Sequence, residues 1–181
     1  MHISRTAAGI VAIVAISLCA SMAQGQASLS FGPHVGYAKS SDTDGKFLFG
    51  AALRAKFLPA IGLEGSITYR QDEFSDGTGT LKSWPVQFTA LVYPLPVIYA
   101  AIGAGWYYTT VDYDDSLELD NETQGEFGWH FGGGIEVPVT GVAKLAVDIR
   151  YVYLDYKFEQ LPGFDVQDNF YMLTAGFLFN L

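Results

Sequence analysis

Apolar residues alternate with small or polar ones along most of the chain after residue 28. From Phe47 to Phe57 one row holds Phe47, Phe49, Ala51, Leu53, Ala55 and Phe57, and the other holds Leu48, Gly50, Ala52, Arg54 and Lys56. A period of two is the mark of a β-strand, because successive side chains point to opposite faces of a sheet. The same alternation recurs from Ile61 to Tyr69, from Trp84 to Val92, from Phe127 to Val137, from Lys144 to Tyr153 and from Tyr171 to Leu181. Two further stretches are less regular: Leu29 to Ala38 contains Pro33, and both rows from Ile98 to Tyr108 are apolar or small. Together they predict eight strands.

The connections carry a second pattern. The intervals 39–46, 58–60, 70–80, 94–96, 112–125, 138–141 and 155–168 run long, short, long, short, long, short, long. In an antiparallel meander every second connection leaves the same end, so the long loops share one end. The tight turns, with Pro59, Pro94, Pro96, Pro138 and Gly141, share the other. Short periplasmic turns, long extracellular loops and an even strand number are features of transmembrane barrels.

The direction of the apolar row decides between two kinds of barrel. A soluble ligand-binding barrel would turn its bulky row inward and cover its exterior with charge. Here the polar row is mostly Gly, Ala, Ser and Thr with a few charges, which suits a narrow interior. The bulky row places Phe47, Phe57, Tyr69, Trp84, Trp106, Tyr108 and Tyr151 near strand ends, where aromatic girdles meet a membrane interface. Composition points the same way. Of 181 residues 50% are hydrophobic, 15% aromatic and only 16% charged, against about 25% charged in an ordinary soluble domain. A net charge of -9 also leaves no basic footprint for nucleic acid. In lipid only a closed barrel satisfies every backbone group, so the strands are expected to close on themselves.

The N-terminus supplies the route. Arg5 precedes an apolar run from Ala7 to Ala20, and Ser21 and Ala23 stand three and one residues before a cut after Ala23. Residues 1–23 are therefore expected to be a secretory signal peptide and 24–181 the barrel, with Ala27 a second acceptable cleavage position. The run is short of the about 20 residues that span a bilayer as a helix. The only cysteine, Cys19, falls inside the signal, so a processed chain is expected to hold no disulfide or thiolate site.

These features resemble the small eight-stranded outer-membrane barrel family of the OmpA and OmpX type. In that family's assembly signal a polar residue, a glycine two residues later and two spaced hydrophobic residues close the last strand. Thr174, Gly176, Phe179 and Leu181 fill those places, with Leu181 where an aromatic residue is commoner. The resemblance implies that the barrel-assembly machinery recognises this strand and that Leu181 must remain terminal. The stretch "VDIRYVYLD" resembles the family's penultimate strand, with charge entering the lumen between outward aromatics.

The inward charges can be paired by register. Symmetric turns put Lys56 opposite Glu64 and Glu136 opposite Lys144, with Arg54, Asp148, Arg150, His34 and His130 deeper inside. Such a network would plug the barrel, since eight strands leave an interior just wide enough for side chains. The acidic segment 112–126 holds Asp112, Asp114 and Asp115 and has no Lys or Arg. It offers oxygens to a divalent cation, but the spacing lacks an EF-hand's glycine, and a solvated acidic surface is the plainer reading.

The lipid-modifying enzymes among small outer-membrane barrels use a His-x-Ser pair or a His, Asp and Ser set. His34-Val35-Gly36 and His130-Phe131-Gly132 fit neither, so no enzyme and no cofactor are expected. The expected protein is a monomeric outer-membrane barrel among outer-membrane lipid and lipopolysaccharide, with a structural or surface-interaction role carried by its loops. The alternatives are a narrow channel or carrier for a small or apolar solute and, behind it, a lipid-A-modifying enzyme.

Overall fold

The computed structural model describes residues 27–40, 45–73, 79–113, 122–157, 165–167 and 169–181. The signal segment lies outside these residues, as do Asp114 and Asp115. The strands are β1 (Ser28–Ser40), β2 (Lys46–Leu58), β3 (Ile61–Glu73), β4 (Gly79–Leu95), β5 (Ile98–Tyr113), β6 (Glu122–Pro138), β7 (Ala143–Lys157), β8 (Asp165–Gln167) and β9 (Phe170–Asn180). Hydrogen bonding runs in the order β6-β5-β4-β3-β2-β1-β9-β7, and β6 pairs with β7 to close the ring. All of these pairings are antiparallel. Eight strands thus form an up-and-down barrel with no open edge, and the three-residue β8 folds back on the end of β7.

The alternation predicts the faces correctly. Phe47 (83% exposed), Phe88 (60%) and Ile149 (53%) point out, while Leu48, Gln87, Asp148 and Arg150 are buried. The irregular fifth strand resolves in favour of inward Tyr99 and Tyr107 and outward Ile102, Trp106 and Tyr108. Lys39 is exposed, whereas Arg54, Glu64, Glu136, Asp148 and Arg150 are buried. An exterior of this kind has no means of holding water and every means of meeting hydrocarbon.

The tight turns fall at Pro59–Ala60, Pro96–Val97 and 139–142. In the last, the Thr140 hydroxyl accepts hydrogen bonds from the Val142 and Ala143 amides at 3.3 and 3.0 Å. The strands outrun the expected loop boundaries. β4 begins at Gly79, β5 continues to Tyr113, β6 begins at Glu122 and β7 reaches Lys157. Backbone pairing does not require apolar side chains, so a polar ladder beyond the membrane leaves no alternation to read.

The turn between β2 and β3 is not symmetric. The two-residue turn at Pro59–Ala60 and a one-residue register shift between Lys56 and Leu58 together place Arg54, not Lys56, opposite Glu64, and Lys56 opposite Gly62. Phe57, at that irregularity, is half-buried rather than fully outward. Around the turn from β6 to β7, Lys144 lies opposite Pro138 and Glu136 opposite Ala146, two residues from the expected register.

Inside, Gly132 stands opposite Arg150. A Cβ at position 132 would come within 2.0 Å of the Ile149 carbonyl oxygen and 2.8 Å of the Arg150 Cα. Backbone atoms yield little, so Gly132→Ala is expected to cost about 1–3 kcal/mol in a urea titration of the folded barrel, as overpacking does.

Candidate functional site

The lumen is where the chain's buried chemistry collects, and it is built in three layers. Nearest the tight turns, Arg54 donates through Nη1 to Glu136 Oε2 at 2.7 Å and through Nε to Glu64 Oε2 at 3.0 Å, with a second, very close Nη2 contact to the same oxygen. Lys144 Nζ reaches Glu136 Oε1 at 3.1 Å, so the expected Glu136–Lys144 contact forms diagonally. Tyr93 and Tyr99 fill the remaining width, their rings 5.4 Å apart. Tyr93 donates to Glu136 at 3.0 Å and Tyr99 to Asp148 Oδ2 at 2.9 Å. Lys56, displaced from Glu64 by the register, lies with Nζ 3.6 Å from the Tyr93 ring centroid. An ammonium over an aromatic face is held by the ring quadrupole in place of a carboxylate.

In the middle layer Arg150 donates through Nη2 to Glu64 Oε1 at 2.6 Å and through Nε to Asp148 Oδ1 at 2.9 Å. Glu64 therefore sits between two guanidiniums, one on each carboxylate oxygen. Three cations (Arg54, Lys144, Arg150) and three carboxylates (Glu64, Glu136, Asp148) form one continuous chain of ion pairs. Arg150 Nη1 also reaches the Thr89 hydroxyl at 3.2 Å, which in turn meets His130 Nε2 at 2.9 Å. His34 Nε2 lies 3.3 Å from the Thr68 hydroxyl. Beside them is a cavity of about 30 Å³ lined by His34, Glu64, Gln87, Asp148, Arg150 and Thr174, room for about one or two waters.

The layer toward the long connections is apolar. Ala38, Leu48, Tyr107, Val152, Leu154, Phe170 and Met172 are buried against one another. The Tyr107 hydroxyl accepts from Gln87 Nε2 at 2.7 Å, and Arg70 lies over the Phe170 ring at 5.7 Å. The lumen is thus closed twice, by an ionic and tyrosine layer below and an aliphatic and aromatic layer above.

Reading the inward row as small residues and charges missed the aromatic part of this filling. Tyr93, Tyr99 and Tyr107 share the parity of Leu91, Ala101 and the other inward residues, so strict counting along β4 and β5 would have found them. Gln87 and Thr89 were equally visible by parity, but nothing in the sequence marks them as hydrogen-bond partners of Tyr107, His130 and Arg150.

The remaining predicted residues are placed as follows. Asp112 lies at the end of β5, opposite Thr80 on β4. Thr174 is buried and lines the central cavity, and Gly176 packs against the Pro33 carbonyl oxygen and His34. Phe179 and Leu181 point outward, and the Leu181 amide donates to the Leu29 carbonyl at 2.9 Å. Among the described residues no cluster of His, Cys, Asp and Glu could hold a metal ion. The hydroxyls that His34 and His130 contact are those of Thr68 and Thr89.

The outer wall carries rings in contact at the level of the long connections. Phe49, Tyr69 and Trp84 form one run at 5.1 and 4.4 Å, Trp106 and Phe127 a pair at 5.4 Å, and Trp129 stacks on Tyr153 at 4.9 Å. Amphipathic rings at one height are an interfacial belt.

Known structures share this architecture. Neisserial surface protein A is 15% identical with a TM-score of 0.59, covering 86% of this chain and 97% of its own. A major outer membrane protein from Thermus thermophilus is 14% identical with a TM-score of 0.61, covering 86% and 99%. Ail, the attachment invasion locus protein of Yersinia pestis, solved in complex with the heparin analogue sucrose octasulfate, is 18% identical with a TM-score of 0.52, covering 86% and 97%. No curated protein sequence matches the chain. The model of a family described as "Outer membrane protein beta-barrel domain" matches residues 9–179. A closed eight-stranded barrel with a greasy wall, an interfacial ring of aromatics and this match has one reading: the chain belongs to the outer membrane protein beta-barrel domain family.

Proposed function

We propose that this protein is a sealed outer-membrane anchor that presents its long loops for surface interaction and forms no large pore. The carrying observation is the filled lumen, in which the ion-pair chain through Glu64 and the apolar layer around Phe170 and Met172 border small cavities of about 30 and 20 Å³. What remains free to recognise a partner is the long-loop end. Ail was solved with a polyanionic sugar. The segment 112–126 here has seven carboxylates and no Lys or Arg, which disfavours an anionic partner and favours a cationic or neutral one.

The last strand, with Thr174, Gly176, Phe179 and Leu181, is the element we assign to recognition by the assembly machinery. Insertion as a monomer among lipopolysaccharide follows from the same reading. No enzymatic role is proposed: the hydroxyls beside His34 and His130 are those of Thr68 and Thr89, and Thr89 is also held by the Arg150 guanidinium inside the filled lumen.

In planar bilayers the purified chain is expected to give no stable porin-sized conductance step. Exchanging the four long loops for short linkers should abolish surface binding and leave the barrel folded. If loop exchange leaves binding intact while lumen variants such as Arg150→Met remove it, the surface-interaction reading fails and the narrow-carrier reading replaces it.

A further inference from the structure

The aromatic belt is not uniform around the barrel. Lys39 on β1 stands opposite Tyr171 on β9, Tyr171 opposite Tyr151 on β7, and Tyr151 opposite Phe131 on β6. All four share the parity of the outward row, so they form one line across four adjacent strands, roughly 14 Å long at the usual strand spacing. The rings touch: Tyr151 lies 4.7 Å from Tyr171 and 6.0 Å from Phe131. Tyr153 and Trp129 widen the same patch, with Tyr153 at 4.7 Å from Tyr151 and 5.9 Å from Phe131. The described aromatic contacts elsewhere on the wall join two or three rings; here they join five. At one end of the line sits Lys39, an exposed ionised side chain.

We propose that this row is a docking surface for the phosphorylated sugar headgroup of an outer-leaflet glycolipid. Aromatic faces stack on the apolar faces of sugar rings, tyrosine hydroxyls hydrogen-bond sugar oxygens, and one ammonium at the end of the line meets one phosphate. The Lys39–Tyr171 end of the line is at headgroup height, since Lys39 is one residue from the loop end of β1 and Tyr171 one from the loop end of β9. An acyl chain alone would have no use for Lys39, and a phosphodiester without sugar would have none for five rings. The inference rests on the proposed orientation, with long loops on the outer side.

The test is native mass spectrometry of the full folded chain in detergent, titrated with bisphosphorylated lipid A, dephosphorylated lipid A and phosphatidylglycerol. One bisphosphorylated lipid A is expected to be retained. Lys39→Gln should weaken it about fivefold, the weight of one cation at a charged interface, and removing the phosphates should weaken it as much. Tyr151→Leu with Tyr171→Leu should weaken it at least equally. Lys39→Arg should retain binding, and Phe49→Leu with Trp84→Leu, in another sector, should leave it unchanged. Equal binding of phosphatidylglycerol, equal loss from the Phe49 and Trp84 pair, or a stable dimer abolished by Lys39→Gln would overturn the proposal. Orientation is tested separately by labelling Thr140→Cys in intact cells with a membrane-impermeant maleimide. No labelling is expected, and strong labelling would place the row in the inner leaflet and overturn the leaflet assignment whatever the binding result.

Discussion

Glu64→Gln is expected to destabilise the folded barrel by roughly 3 kcal/mol, the lower end of the cost of breaking a buried ion pair. The carboxylate meets Arg54 on one oxygen and Arg150 on the other, and all three side chains are buried. Taking the charge away leaves two guanidiniums in a narrow, nearly dry lumen with less than their original compensation. Each keeps one other carboxylate, Glu136 for Arg54 and Asp148 for Arg150, which holds the cost to the lower end. Lys56→Gln is the matched control. Its ammonium is half-exposed and held by the Tyr93 ring, so its loss should cost no more than about 1 kcal/mol. Urea-driven unfolding in phospholipid vesicles, followed by tryptophan fluorescence, compares the two. If Glu64→Gln costs no more than Lys56→Gln, the ion-pair chain does not hold the interior together.

The second large effect belongs to the outer wall. Ile149→Arg and Phe88→Arg, near the middles of β7 and β4, should each cost about 2–4 kcal/mol in the same titration, while Phe47→Arg, at the loop end of β2, should cost no more than about 1 kcal/mol. The contrast comes from depth, because a guanidinium at mid-height must be dehydrated or drag water into hydrocarbon. Near the interface it reaches the headgroups. All three positions are exposed, so a water-facing wall would tolerate all three substitutions nearly equally.

The strand count and the faces were legible because a two-residue period survives wherever one side meets lipid and the other a crowded lumen. The loop boundaries were not legible. Beyond the membrane the ladder continues through residues such as Glu122 and Lys157 that carry no alternation. The lumen charges were legible as inward residues, since Arg54, Glu64, Glu136, Asp148 and Arg150 stand in the polar row. Their partners were not. The turn closes over two residues, Pro59 and Ala60, and a one-residue register shift between Lys56 and Leu58 follows, so that Glu64 meets Arg54 instead of Lys56; a bulge at a tight turn leaves no signal in the hydrophobic pattern. Arg150 meets Glu64 and Thr89 across the lumen, from strands distant in sequence, through side-chain reach that no local pattern encodes.

The most direct measurement is depth-resolved quenching of the chain's three tryptophans, Trp84, Trp106 and Trp129, after folding into bilayers containing brominated lipids. All three are exposed; Trp84 lies toward the long-connection end of β4, and Trp106 and Trp129 stand eight and nine residues from the tight-turn ends of β5 and β6. Bromines placed high on the acyl chain should quench strongly, bromines near the bilayer centre less, and aqueous acrylamide weakly. Strong acrylamide quenching with no response to brominated lipid at any depth would mean that the aromatic wall faces water, and the account of the fold's outer surface would be wrong.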